Sequence, residues 1–235
     1  MMKLRHLLLL TLALLGTTGW SFFPFNLFKP GMPDIESTAW MQQQIQSINE
    51  QANNIDQNVL KLSLHAYLVA RHKGLDDKQL LTIIDYSKPS TERRLWVVDL
   101  HQGKVLFNTW VSHGKNSGNV MATSFSNRPG SLKSSIGVFL TDEPYNGGNG
   151  YSLRLKGLEE GINDNAYRRD IVMHGAWYVD PNVIKRYGQI GRSWGCPAVS
   201  PTMIEPIINT IKDSTLVVAY YPDQTWLRNS SFITG

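Results

Sequence analysis

Cysteine is nearly absent from this 235-residue chain, with one, Cys196, in "GQIGRSWGCPAVS". A single thiol excludes an internal disulfide framework, the usual use of cysteine in exported proteins. Acidic residues are missing from residues 1–29, and no internal repeat is present. The main apolar run, Leu7–Leu15, falls short of the about 20 residues that span a bilayer. Cys196 has no histidine or second cysteine close to it in sequence, the spacing that zinc motifs normally show. Lys3, Arg5 and Lys29 supply three of the 23 basic charges, so the other 206 residues carry 20 bases against 19 acids. The basicity belongs mostly to the first residues, and it gives no argument for nucleic acid.

What is present at the N-terminus reads as targeting. Lys3 and Arg5 precede Leu7–Leu15, and Gly16, Thr17 and Gly19 follow. That is the charged start and short apolar stretch of a secretory signal. Residues 1–29 are therefore expected to be a signal peptide. If Trp20–Phe28 extends the apolar segment, they are an uncleaved membrane anchor instead. Either way the protein is exported, to the periplasm or cell envelope. The signal end has no cysteine, which excludes a lipoprotein. The remaining residues suffice for one substantial core.

Residues 30–75 read as a helical arm. "IESTAWMQQQIQSINEQANN" has no Gly or Pro, and "QNVLKLSLHAYLVARHKG" places Leu60, Leu64 and Tyr67 on one face before Gly74 stops it. From about residue 81 short β-like runs take over: Leu81–Tyr86, Leu95–Leu100, Lys104–His113, Ile136–Thr141, Tyr151–Leu155 and Asp170–Val179. "PNVIKRYG" and "PTMIEPIINTIKD" open on proline as helices do, and "STLVVAYY" is a final buried strand. The expectation is a mainly-β (α+β) catalytic domain over 76–222 with a few helices, then a C-terminal tail at 223–235.

Cys196 sits between Gly195 and Pro197. Glycine admits close backbone approach and proline fixes the exit, a setting that suits a displayed nucleophile better than a core position. A thiol of ordinary pKa is mostly protonated at neutral pH, so it needs a base. Of six histidines, two end a strand and precede a glycine: His113 in "WVSHGKNSG" and His174 in "IVMHGAWYV". By position alone, either can be the base.

"HG" at 174–175, with Cys196 in "SWGC" 22 residues after the histidine, resembles the signature of the YkuD-type L,D-transpeptidases. "FSNRPGS", "GYSLRLKGLEEGINDNAYRRD" and "GRSWGCPAVS" extend the likeness over roughly residues 80–222. The resemblance implies a YkuD-like β-sandwich, peptidoglycan stem peptides as substrate, no cofactor, and a monomer. It implies that His174 takes the Cys196 proton and that the Gly175 carbonyl orients His174. Backbone N–H groups near Gly195 and Cys196 would hold an oxyanion, with Ser193 at the motif's hydroxyl position. It also points to acylation of the thiol by carbapenems.

Two departures stand out. Trp194 occupies the place of a histidine, and Ala198 that of an Arg or Asn expected to meet a substrate carboxylate. His113 is then a candidate second imidazole. Arg192, Arg168, Arg169 and Lys133 are candidates to replace the lost contact, and Trp194 itself is a candidate substrate contact. Hydrolysis by the same pair, a wall-binding module without catalysis, and a zinc site on His113, His174 and Cys196 are the competing readings.

Overall fold

The computed structural model describes residues 34–234 apart from Glu36; the expected signal or anchor lies outside the described residues. The described residues open with α1 (Thr38–Gln51) and α2 (Gln57–His72). Ser37 caps α1 by accepting from Trp40 N at 3.0 Å. Asp56 caps α2 by accepting from Asn58 N at 2.8 Å and Val59 N at 3.1 Å. Each helix buries one stripe: Trp40, Gln44 and Ile48 on α1, and Leu60, Leu64 and Tyr67 among others on α2. Trp40, Ile48, Leu60, Leu64 and Tyr67 belong to the same apolar cluster as Leu81, Val97 and Val218 of the sheet. The segment read as an arm is therefore part of the main core, and residue 75 marks no boundary in packing.

Strands follow as β1 (Leu80–Asp85), β2 (Leu95–Asp99), β3 (Lys104–Thr109), β4 (Gly137–Gly147), β5 (Gly150–Gly157) and β6 (Val172–Gly175). Then come α3 (Pro181–Tyr187), β7 (Ala198–Val199), α4 (Pro201–Ile211), β8 (Leu216–Tyr220) and α5 (Gln224–Asn229). The described residues form an eight-stranded mixed sheet in the order β3-β2-β1-β8-β4-β5-β6-β7. β1 and β8 pair parallel, as do β6 and β7, and the other neighbours run antiparallel.

The stretch after β3 turns this sheet into a near-barrel. Ser112 N donates to Ala198 O at 2.8 Å, Ser193 N to His113 O at 3.0 Å, and Lys115 N to Ser193 O at 2.8 Å. The expected strand Lys104–His113 thus divides: its first half pairs with β2, and its second half crosses to the cysteine-bearing segment. The expected strand Asp170–Val179 shortens to four residues. Asp170 sits in the left-handed region (φ 52°), and Val179 N closes a turn on Ala176 O at 3.0 Å.

The stretch expected to be a tail is built into the fold. Asp223 caps α5, and Trp226 is fully buried, edge-on to Tyr220 at 6.1 Å. Its indole N–H donates to both Glu159 carboxylate oxygens at 3.1 Å, and Ser230 Oγ donates to the same carboxylate. We expect Trp226→Ala to cost about 3–5 kcal/mol in urea unfolding, the range for emptying a buried aromatic site. A loss below about 1 kcal/mol would mean that α5 is dispensable.

Candidate active site

The cysteine loop is held from both sides. Ser193 Oγ donates to Cys196 O at 2.6 Å and accepts from Gly195 N at 3.1 Å, which closes a tight turn around Trp194. Gly195 has φ +130°, and a Cβ there would stand 2.7 Å from Lys133 O. Only glycine fits. Ser134 Oγ fastens the turn to the barrel by donating to Gly195 O at 3.0 Å. The turn leads straight into β7, whose Ala198 is the parallel partner of His174 on β6. Cys196 lies two residues upstream of that pair, and both reactive side chains line one cleft of about 480 Å³.

His174 is nearly buried, and its Nδ1 lies 2.9 Å from Gly175 O. A carbonyl oxygen only accepts, so Nδ1 carries the proton and Nε2 keeps its lone pair. Burial holds this imidazole below its ordinary pKa, partly offset by the bond to Gly175. Burial pushes the Cys196 thiol up, against the backbone N–H of Val172 and the charge of Arg169, which favour the thiolate. The thiol donates to Asp170 O at 3.3 Å. Both shifts favour the uncharged forms, a thiol on Cys196 and a neutral imidazole on His174.

His113 occupies a different environment. It is fully buried, with Nδ1 2.7 Å from Arg94 Nη2. A guanidinium only donates, so this histidine carries its proton on Nε2, the opposite tautomer from His174. Burial and the adjacent Arg94 lower its pKa to about 4. Arg94 is itself fully buried and also donates to Val111 O and Lys88 O. The expectation that His113 contacts substrate is corrected: it exposes no surface, its ring is held by Arg94, and its backbone carbonyl accepts from Ser193 N at 3.0 Å. With Nδ1 engaged by Arg94, the zinc reading loses a ligand. No group of three or more His, Cys, Asp or Glu among the described residues is arranged to hold a metal.

Among the arginines, Arg168 is exposed, bonds only weakly to Asn165 at 3.4 Å and does not line the cleft. The physical reason is the 3₁₀ turn over Tyr167–Arg169, where successive side chains point about 120° apart. Its neighbour Arg169 faces the cleft instead, and donates to Ser131 Oγ at 3.1 Å and Lys133 O at 2.6 Å, and to Ser126 O and Ser135 Oγ. Lys133 turns away to Ser124 Oγ at 2.6 Å. Arg192 lines the cleft rim, bonded to Asn119 Oδ1 at 2.7 Å and Gly118 O at 3.0 Å. Trp194 projects beside it, 73% exposed, with Lys115 Nζ 5.8 Å from its ring. Ala198 is buried in the sheet, out of reach of any ligand. Tyr178 and Asn149 also line the cleft; "HGAWYV" hints at the first, while the second comes from a Gly-rich hairpin with no chemical signal.

The sequence profile of the L,D-transpeptidase catalytic domain matches residues 51–220. The chain belongs to this family. Solved L,D-transpeptidases overlap it loosely. One from Mycobacterium smegmatis is 14% identical over 61% of this chain and 59% of its own, with a TM-score of 0.38. L,D-transpeptidase 1 of Mycobacterium tuberculosis is 14% identical over 60% of each chain, at 0.34. One from Stackebrandtia nassauensis is 11% identical over 79% and 92%, at 0.37. The chain thus spans about three fifths of the length of the mycobacterial L,D-transpeptidases. No curated protein matches it.

Proposed function

We propose that the protein forms peptide crosslinks in peptidoglycan by acyl transfer through Cys196. The observation that carries this reading is the single thiol, on the turn that leads into β7, and an imidazole of fixed tautomer on the neighbouring β6, opening into one cleft. His174 Nε2 takes the thiol proton as sulfur attacks the amide carbonyl at an L-centre of a stem peptide. The tetrahedral intermediate then expels the amine of a D-residue, which leaves with the proton from the imidazolium. A thioester remains. An amine on a second stem attacks it, gives up a proton to His174, and regenerates the thiol. The Gly195 N–H, expected to help hold the oxyanion, is already taken by Ser193 Oγ. We assign that task to the Cys196 N–H, and capture of a substrate carboxylate to Arg192.

Residues 1–29 would deliver the domain to the envelope, where its substrate is. No helix among the described residues is long and apolar enough to cross a membrane. The test is to incubate the protein with disaccharide tetrapeptide and read products by mass. Crosslinked dimer supports the proposal, shortened monomer supports hydrolysis by the same pair, and unchanged substrate defeats both.

The neutral resting pair has its own signature. With His174 held below imidazole's usual ~6.5, the base form persists into mild acid. We expect kcat/KM to fall only below pH 6.5, and to stay flat through neutrality because the thiol titrates above its ordinary range. An alkaline limb, with activity lost above neutrality as an imidazolium gives up its proton, would instead indicate a preformed thiolate–imidazolium pair.

A further inference from the structure

A second groove, of about 710 Å³, runs beside the cleft and shares no lining residue with it. The two are separated by a ridge of adjacent aromatics. Tyr178 lines the cleft and Trp177 lines the groove, with the rings edge-on at 5.9 Å. Trp177 is 76% exposed, the most exposed of the large hydrophobic residues described. Placed on the groove lining, the indole offers a flat apolar face with a polar N–H at its edge. The turn beneath it is rigid, because Ala176 and Val179 are both buried and bonded to each other across the turn.

Other residues of the lining are also held in place. Trp110 Nε1 donates to Thr91 O at 2.9 Å, and Arg93 lies over the Trp110 ring at 4.8 Å. Asn108, Asp180 and Thr202 add an amide, a carboxylate and a hydroxyl. One cation and one anion leave the lining without net charge. A flat apolar platform ringed by neutral and balanced polar groups matches the faces of a pyranose, with C–H bonds on the ring face and hydroxyls and amides at the edge. It does not match a polyanion or a lipid.

We infer that this groove binds the glycan strand of the polymer whose stem peptide enters the cleft, as a run of β-linked N-acetylated amino sugars. The inference rests on the peptidoglycan reading for the choice of saccharide. A strand crossing the Trp177–Tyr178 ridge would hold its attached stem against Cys196, converting part of stem capture into an intramolecular step. Glycan-linked stems would then be taken in preference to free peptides.

The test uses the whole chain and a tetramer of β-1,4-linked N-acetylglucosamine, which carries no stem and cannot acylate the thiol. We expect a saturable shift of the Trp177 indole N–H in ¹⁵N spectra. Trp177→Ala should weaken binding at least about tenfold, or ~1.4 kcal/mol. Trp194→Ala, on the cleft side, should leave the affinity within about twofold, by the same conversion. No saturable shift, binding indifferent to Trp177→Ala, or a loss confined to Trp194→Ala would each overturn the inference. A protein that binds the tetramer yet leaves muropeptides untouched upholds the groove and defeats the acyl-transfer reading. One that crosslinks muropeptides without binding the tetramer does the reverse.

Discussion

Cys196→Ala is expected to reduce crosslinking of disaccharide tetrapeptide by more than about 10³-fold, with the fold unchanged. Covalent catalysis has no substitute when its nucleophile is removed, and no second thiol exists to take over. The folded state should tolerate the change. The loop is closed by Ser193 Oγ on the backbone of Gly195 and Cys196, and by Ser134 Oγ on Gly195 O, none of which uses the sulfur. Intact mass after trapping with a strained β-lactam of the carbapenem type provides a second readout. One drug mass should appear on wild type and none on the variant. Wild-type turnover by Cys196→Ala would end the thioester mechanism, whereas a melting temperature lowered by many degrees would mean that the thiol serves packing.

The family was more legible in the sequence than the architecture of its candidate site. "HG" and "SWGC" are local signals, short enough to be read without knowing what surrounds them. The tautomers are not local. Nothing in "WVSHGKNSG" reveals that a buried Arg94, 19 residues earlier, will donate to His113, so two similar His-Gly strand ends looked equally able to act. Arg168 and Arg169 are adjacent in sequence, and only the 3₁₀ turn decides which one faces the thiol. The helical stripes of α1 and α2 were readable from spacing, but not their destination, since an amphipathic face does not say which sheet it covers. β7 has two residues, too few for any periodicity to show, yet its pairing with β6 helps bring Cys196 and His174 into one cleft.

His174→Ala should lower kcat by about 10²–10⁴-fold, the usual value of a positioned general base. The thiol it serves is held above its ordinary pKa, so little thiolate forms without help. Its loss should also convert the pH profile. With no imidazole left in the cleft, residual activity should climb steadily with pH as hydroxide removes the proton instead. His113→Ala should behave otherwise. It leaves the Arg94 guanidinium short of an acceptor in the core, which costs about 1–3 kcal/mol of stability. The pH profile of the surviving enzyme should keep its flat neutral stretch, because His174 is intact. Measuring melting temperature and the pH dependence of kcat/KM on both variants separates the roles. If His113→Ala removed the neutral plateau while His174→Ala kept it, the base would be His113, and the assignment drawn from opposite tautomers would be wrong.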